Sequence, residues 1–130
     1  MCGIAGCYGA RDVNTIDRML DAMTHRGPDD IGVHLHRDSV FGHTRLSIVD
    51  VSGGHQPILA NGGKTGIICN GEIYNFRQLR DKLVSKYRFK TFSDSESALH
   101  LYQEKGPESV KELDGMFAFA IFDRDSFMLA

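Results

Sequence analysis

Met1-Cys2-Gly3-Ile4-Ala5-Gly6 opens this chain, and its second residue is the first with obvious chemistry. Excision of Met1, which the small cysteine side chain suits, makes Cys2 the N-terminus. A cysteine in that place carries both a thiol nucleophile and a free α-amine able to take its proton. A thiol ionises near about 8.5 and an α-amine near about 7.7–8.0, close enough for proton exchange around neutrality. Taken alone, Cys2 reads first as a buried cysteine in a first strand, and it is the residues that follow that turn it into a candidate nucleophile.

Hydrolysis of a carboxamide through such a thiol needs donors for the oxyanion, a charged clamp for the substrate and shielding from water. Asn70-Gly71 offers the donors, a side-chain amide and a backbone N–H converging at a strand end. The competing reading of Asn-Gly is a tight type I′ hairpin turn. Arg45, between strand residues, can hold a carboxylate with two parallel hydrogen bonds, or simply be a solvated strand arginine. Asp94 can take an ammonium group while also complementing a helix dipole.

Other polar clusters compete weakly. His34 and His36 lie two apart on one strand face, yet with Cys2 or Cys7 they match no structural zinc spacing, so no metal is expected. Phe117, Phe119 and Phe122 read as core. Lys82, Lys86, Arg88 and Lys90 read as a solvated helix face and its following loop.

These residues need elements to position them. Gly3 to Tyr8 reads as a short strand, with Cys2, Ile4 and Gly6 on one face and Cys7 on the other. Asn14 is placed to cap a helix through Ile16, Met19, Leu20 and Met23, ending before Gly27-Pro28. Ile31 to His36 and Val40 to Val49 read as strands, and Thr65 to Cys69 as a strand reaching Asn70-Gly71. Asn75 is placed to cap a helix burying Phe76, Leu79 and Leu83. Ser93-Asp94-Ser95-Glu96 has the form of a capping box before a helix burying Ala98, Leu101 and Tyr102. A short helical stretch is expected over 108–113, a strand over 116–122, and a turn over 123–126. Strands and helices come in runs with hairpin-like pairs, which indicates α+β with mainly antiparallel sheets.

At 130 residues, with 42% hydrophobic residues, the chain is expected to form one domain with an ordinary core. A formal net charge of −2 argues against nucleic acid or an acidic membrane surface as partner. No apolar run approaches the roughly 18 residues needed to span a bilayer, and the N-terminus lacks the layout of a secretory signal. Cysteines at 2, 7 and 69 form no framework spacing, which fits a reducing, cytoplasmic setting.

Together the motifs resemble the class II glutamine amidotransferase domain, an N-terminal-nucleophile (Ntn) hydrolase, and within it the asparagine-synthetase type. The matching segments are MCGIAG at 1–6, HRGPDD at 25–30, GHTRLSIVD at 42–50, HQPI at 55–58, NGEIYN at 70–75, SDSE at 93–96 and LDGMFAFAIFD at 113–123. They follow the family's order and cover nearly the whole chain. NGEIYN with RLSIVD favours the asparagine-synthetase type.

The resemblance implies a four-layer α-β-β-α sandwich and a glutaminase reaction through Cys2, once Met1 is gone. Asn70 and Gly71 match the oxyanion donors, and Arg45 the residue that grips the glutamine α-carboxylate. Asp94 and Glu72 match positions near its α-amino group, Ile48 a backbone contact in the same pocket, and His25-Arg26-Gly27 a loop lining the site. The family's domain is longer than this chain, so the sheets are expected to be incomplete at the C-terminus. No SGGxDS loop occurs, so the synthetase half, with its ATP and magnesium, is expected to be absent, and this domain itself is expected to need no cofactor. The expected partners are glutamine and a synthetase domain or subunit that receives ammonia; oligomerisation is left open. The competing class is a non-catalytic, truncated module with a folding or protein-contact role.

Overall fold

The computed structural model describes residues 1–124 and 126–130. Its strands form two antiparallel sheets. The first is three-stranded, in the order β1 (Gly3–Cys7), β3 (Ser39–Arg45), β2 (Asp30–His36). The second is four-stranded, in the order β4 (Ile58–Ala60), β5 (Thr65–Ile73), β6 (Gly115–Asp123), β7 (Ser126–Leu129).

Period-two alternation along β3 sorts the layers. Val40 packs in a cluster with Ile16 and Leu20 of helix α1 (Val13–Met23), and Gly42 on the same face lets that helix approach. A β-carbon on Gly42 would press on Ile16 and Leu20. The opposite face turns Phe41 toward the second sheet, where it joins Ile68, Ala120 and Phe122. The far face of that sheet buries Ile67, Cys69, Ile73, Phe119 and Ile121 under α2 (Phe76–Leu83) and α3 (Asp94–Lys105). The order of layers is α-β-β-α, as the sequence resemblance implies.

His34 and His36 belong to the space between the sheets. His34 stacks on Phe122 with ring centroids 5.0 Å apart, and His36 Nε2 lies 3.2 Å from the Arg124 carbonyl. Burial lowers the His34 pKa, with a smaller push from His36. Among the described residues no group of three or more His, Cys, Asp or Glu is arranged to hold a metal ion.

Several local expectations are corrected. Asp12, not Asn14, caps α1, its Oδ1 accepting the Thr15 N–H at 2.9 Å. Strand β3 stops at Arg45 instead of running to Val49, because the chain beyond it wraps around the arginine. Strand β5 continues through Asn70-Gly71 to Ile73, so this pair is neither a turn nor a strand end. Ser93 makes no capping bond from its side chain. Glu96 instead accepts the N–H groups of Lys90 and Thr91 and the Thr91 hydroxyl, each at 2.7 Å. Asn75 spends its amide on the Glu112 carbonyl and the Asp114 N–H rather than on helix α2. Residues Gly106–Glu112 form a 3₁₀ helix. The turn expected over 123–126 includes Asp125, which lies outside the described residues.

Candidate active site

Strand β1 delivers Cys2 to the end of β3, since Gly3 is paired with Thr44. The Leu46 N–H reaches Cys2 Sγ at 3.4 Å, and Arg26 Nε donates to the Cys2 carbonyl at 3.0 Å. The loop that carries Arg26 is seated on β3 by Gly27, where a β-carbon would collide with the Thr44 carbonyl carbon and Arg45 nitrogen. Asp29 completes that seat, its N–H donating to the Arg45 carbonyl at 2.9 Å and its carboxylate accepting the Ser47 N–H at 2.8 Å. Met1 is joined to Cys2 in this structure, so the Cys2 nitrogen is a peptide nitrogen without a basic lone pair.

Arg45 is buried, and its guanidinium gathers the following loop. Nη2 donates to the carbonyls of Val49 at 3.0 Å and Asp50 at 2.5 Å, and Nη1 to that of Val51 at 3.4 Å. Both bidentate faces of a guanidinium use one terminal nitrogen in common, here the Nη2 that already serves two carbonyls. Nε and one Nη1 hydrogen remain for a ligand. The two-pronged grip read from the sequence therefore requires the loop to release a carbonyl.

The edge of β5 supplies the donors. Phe119 exchanges both backbone hydrogen bonds with Ala130, at 2.8 and 3.1 Å, so its partner Cys69 must turn its own polar groups away from β6. The same side of β5 presents Thr65, Ile67, Cys69, Gly71 and Ile73. Strand β4 pairs with the first two. The Cys69 N–H donates to Gln56 Oε1 at 2.6 Å, and its carbonyl faces His43 Nε2 at 3.0 Å. The Ile73 N–H donates to Asp94 Oδ2 at 2.7 Å. Gly71 stands between these, with no partner for its N–H among the described residues. Its φ of 142° and the nearby Met116 carbonyl leave no room for a side chain.

Asn70 shares the face of Ile68, turned to the sheet that carries Cys2. Its amide oxygen is buried and has no hydrogen-bond partner among the described residues. Asp94 is buried, with Oδ1 accepting the Ser95 N–H at 2.9 Å.

One cleft of about 250 Å³ is lined by Cys2, Arg45, Ile48, Gly71, Glu72 and Asp94 among others. These residues, scattered over 93 positions of sequence, thus meet at one place; Asn70 lies between the lining residues Cys69 and Gly71. Glu72 is exposed, and Ile48 is largely so. Cys69 also borders the cleft, but burial pushes its thiol up to about 12, so it stays protonated beside Cys2. Burial likewise pushes the His43 imidazole down to about 4, leaving it neutral. Sequence reasoning assigned no role to His43 or Gln56, although both fall in the quoted motifs.

The whole of residues 1–130 matches the family model described as glutamine amidotransferase domain. The chain belongs to that family, and its fold is that of the Ntn-hydrolase amidotransferases. Among its relatives are asparagine synthetase B [glutamine-hydrolyzing] of Escherichia coli, 44% identical over 137 residues, and a probable asparagine synthetase [glutamine-hydrolyzing] of Schizosaccharomyces pombe, 40% identical over 130. The alignments cover 99% and 96% of this chain but 24% and 23% of those proteins, so the chain spans about a quarter of their length. A solved glutamine phosphoribosylpyrophosphate amidotransferase from B. subtilis, complexed with ADP and GMP, superposes with a TM-score of 0.80. At 22% identity, over 100% of this chain and 37% of that one, it speaks for the fold alone.

Proposed function

We propose that this domain hydrolyses the side-chain amide of glutamine through Cys2 and hands the ammonia to an asparagine-synthetase-type partner domain or subunit. The observation that carries the reading is the unclaimed Gly71 N–H on the β5 edge, in the same cleft as Cys2, Arg45 and Asp94. The relatives named above support it, and family membership favours it over a module with only a folding or contact role.

Removal of Met1 frees the Cys2 amine, which takes the thiol proton. The thiolate attacks the amide carbon, and the carbonyl oxygen becomes an oxyanion held by the Gly71 N–H and the Asn70 side-chain amide. Collapse breaks the C–N bond, the leaving nitrogen takes the proton from the Cys2 ammonium, and ammonia departs from a γ-glutamyl thioester. Water, deprotonated by the same amine, attacks the thioester and releases glutamate with the free thiol. Arg45 takes the substrate carboxylate, Asp94 its ammonium, and Glu72 and Ile48 border the same pocket. No cofactor enters these steps; ATP and magnesium belong to the synthetase chemistry. The setting is cytoplasmic, and among the described residues no helix is long and apolar enough to cross a membrane.

The test is glutamate release from glutamine by protein freed of Met1. Cys2→Ala and retention of Met1 should each abolish it. Hydrolysis that survives Cys2→Ala rules the reading out.

A further inference from the structure

The Cys69 peptide is held from both sides by side chains instead of by a neighbouring strand. Strand β4 ends its pairing with β5 at Ile67. One step further along that edge, Gln56 Oε1 accepts the Cys69 N–H at 2.6 Å and His43 Nε2 meets the Cys69 carbonyl at 3.0 Å. A carbonyl can only accept, so the neutral imidazole must carry its hydrogen on Nε2. One acceptor and one donor thus reproduce what the next residue of a paired strand would offer.

The two groups are themselves fixed. His43 is 1% exposed on the central strand of its sheet, flanked by Ile4 and Gly32 in register. The Gln56 backbone rests on Gly32, where any β-carbon would overlap the Gln56 carbonyl. The seat of Gln56 is therefore the cross-strand neighbour of His43. Cys69 precedes Asn70-Gly71 directly and its carbonyl belongs to the Cys69–Asn70 peptide, so a shift of the Cys69 backbone is passed straight to both oxyanion donors.

We propose that His43 and Gln56 are positioning residues that set the Asn70 and Gly71 donors against the oxyanion by clamping the Cys69 peptide. The proposal rests on the glutaminase reading. Neither residue touches the reacting atoms in this role. Their effect falls on the transition state, in which the oxygen charge develops, and not on the groups that grip the two charged ends of glutamine.

The experiment measures kcat and KM for glutamine with protein freed of Met1, beside amide hydrogen exchange at Cys69. Gln56→Leu removes the acceptor and should lower kcat by about a hundredfold with KM little changed, since misplacement of catalytic groups by an ångström costs about that much. Its Cys69 amide should exchange faster. Gln56→Glu keeps an acceptor, and His43→Gln places an amide nitrogen where Nε2 stood, so both should recover most of the rate that Gln56→Leu and His43→Leu lose. Should either leucine variant fail to fold, the glutamate and glutamine variants decide: activity no better than background in both overturns the clamp. So does a wild-type kcat in a folded Gln56→Leu, or a loss confined to KM. Hydrolysis that persists in Cys2→Ala sinks the glutaminase reading and this proposal with it, whereas an essential Cys2 with an indifferent Gln56 sinks the proposal alone.

Discussion

Arg45 Nη2 donates to the Asp50 carbonyl at 2.5 Å, while the Asp50 carboxylate accepts the Phe92 N–H at 2.7 Å and the Gly53 N–H at 3.1 Å. The arginine is thus both a candidate ligand for substrate and the anchor of the loop that borders the cleft. Arg45→Lys keeps the charge but not the planar fork that reaches the Val49, Asp50 and Val51 carbonyls. Loss of one or two charge-assisted hydrogen bonds should raise KM for glutamine by about 10²-fold. Limited proteolysis should also cut the loop over 46–54 faster than in the parent. A KM unchanged by the substitution would take Arg45 out of substrate binding.

Gly71→Ala should fold less stably and lose hydrolysis. An added β-carbon meets the Met116 carbonyl and Phe117 Cα, and the φ of 142° disfavours any side chain. Overpacking of this kind costs about 1–3 kcal/mol, and loss of an oxyanion donor costs about 10²–10³ in rate. Thermal unfolding and glutamate release measure the two effects separately. An alanine variant with full turnover would remove Gly71 from the oxyanion site.

Stability should fall with acid in two stages. Burial holds His43 neutral; the Cys69 hydrogen bond and Asp30 push its pKa back up, Arg45 and His55 push it further down, and about 4 results. The unfolded chain takes up this proton below 6.5 and the folded protein only near 4, so the stability is full above 6.5 and is lost as pH falls between these values. At about 1.4 kcal/mol per pH unit the loss is about 3 kcal/mol. Glu96 follows at lower pH. Burial raises its pKa, but the His100 ring, with Nε2 3.5 Å from Glu96 Oε1, and hydrogen bonds from the Thr91 hydroxyl and the Lys90 and Thr91 backbone outweigh burial and bring it to about 2. Its contribution disappears as pH falls from 4.5 toward 2. Urea midpoints across pH should show both stages, the first flattened in His43→Gln. A flat wild-type profile from pH 6.5 to 4.5 contradicts the assignment.

Phe122→Ala should be the costliest single truncation between the sheets. Phe122 is fully buried and stacks on Phe41 at 4.9 Å and His34 at 5.0 Å. Such deletions cost about 3–5 kcal/mol, a large share of the roughly 5–15 kcal/mol that holds a domain together. A loss below 1 kcal/mol in urea unfolding would show that the sheets meet elsewhere.

The candidate site was legible as a set of residues, because the proposed chemistry demands particular types: a thiol at position 2, an amide beside a glycine, a cation and an acid. The α+β class was legible from the runs of strands and helices, whereas the layer order came only from the family resemblance, because which sheet face meets which layer depends on contacts between distant strands. What local patterns misjudged were residues whose partners lie outside the helix they begin. Asn75 and Glu96 carry capping signals, yet Asn75 serves Glu112 and Asp114, and Glu96 turns back to Lys90 and Thr91. Leu46 to Val49 keeps a strand-like composition, and nothing local shows that Arg45 will collect the carbonyls beyond it. His43 and Gln56 escaped notice for a related reason. Both bind a backbone peptide, whose position leaves no side-chain signature.

A sheet margin with free N–H and C=O groups is a template on which another chain can add a strand. The margin of β5 beyond β4 would be such a template if Cys69, Gly71 and Ile73 all stood open. Gln56 and His43 occupy the first, Asp94 takes the N–H of the last, and Gly71 between them is too isolated to register a second strand. The arrangement that leaves one amide open to the cleft therefore also keeps the molecule from sticking to its own kind along this edge.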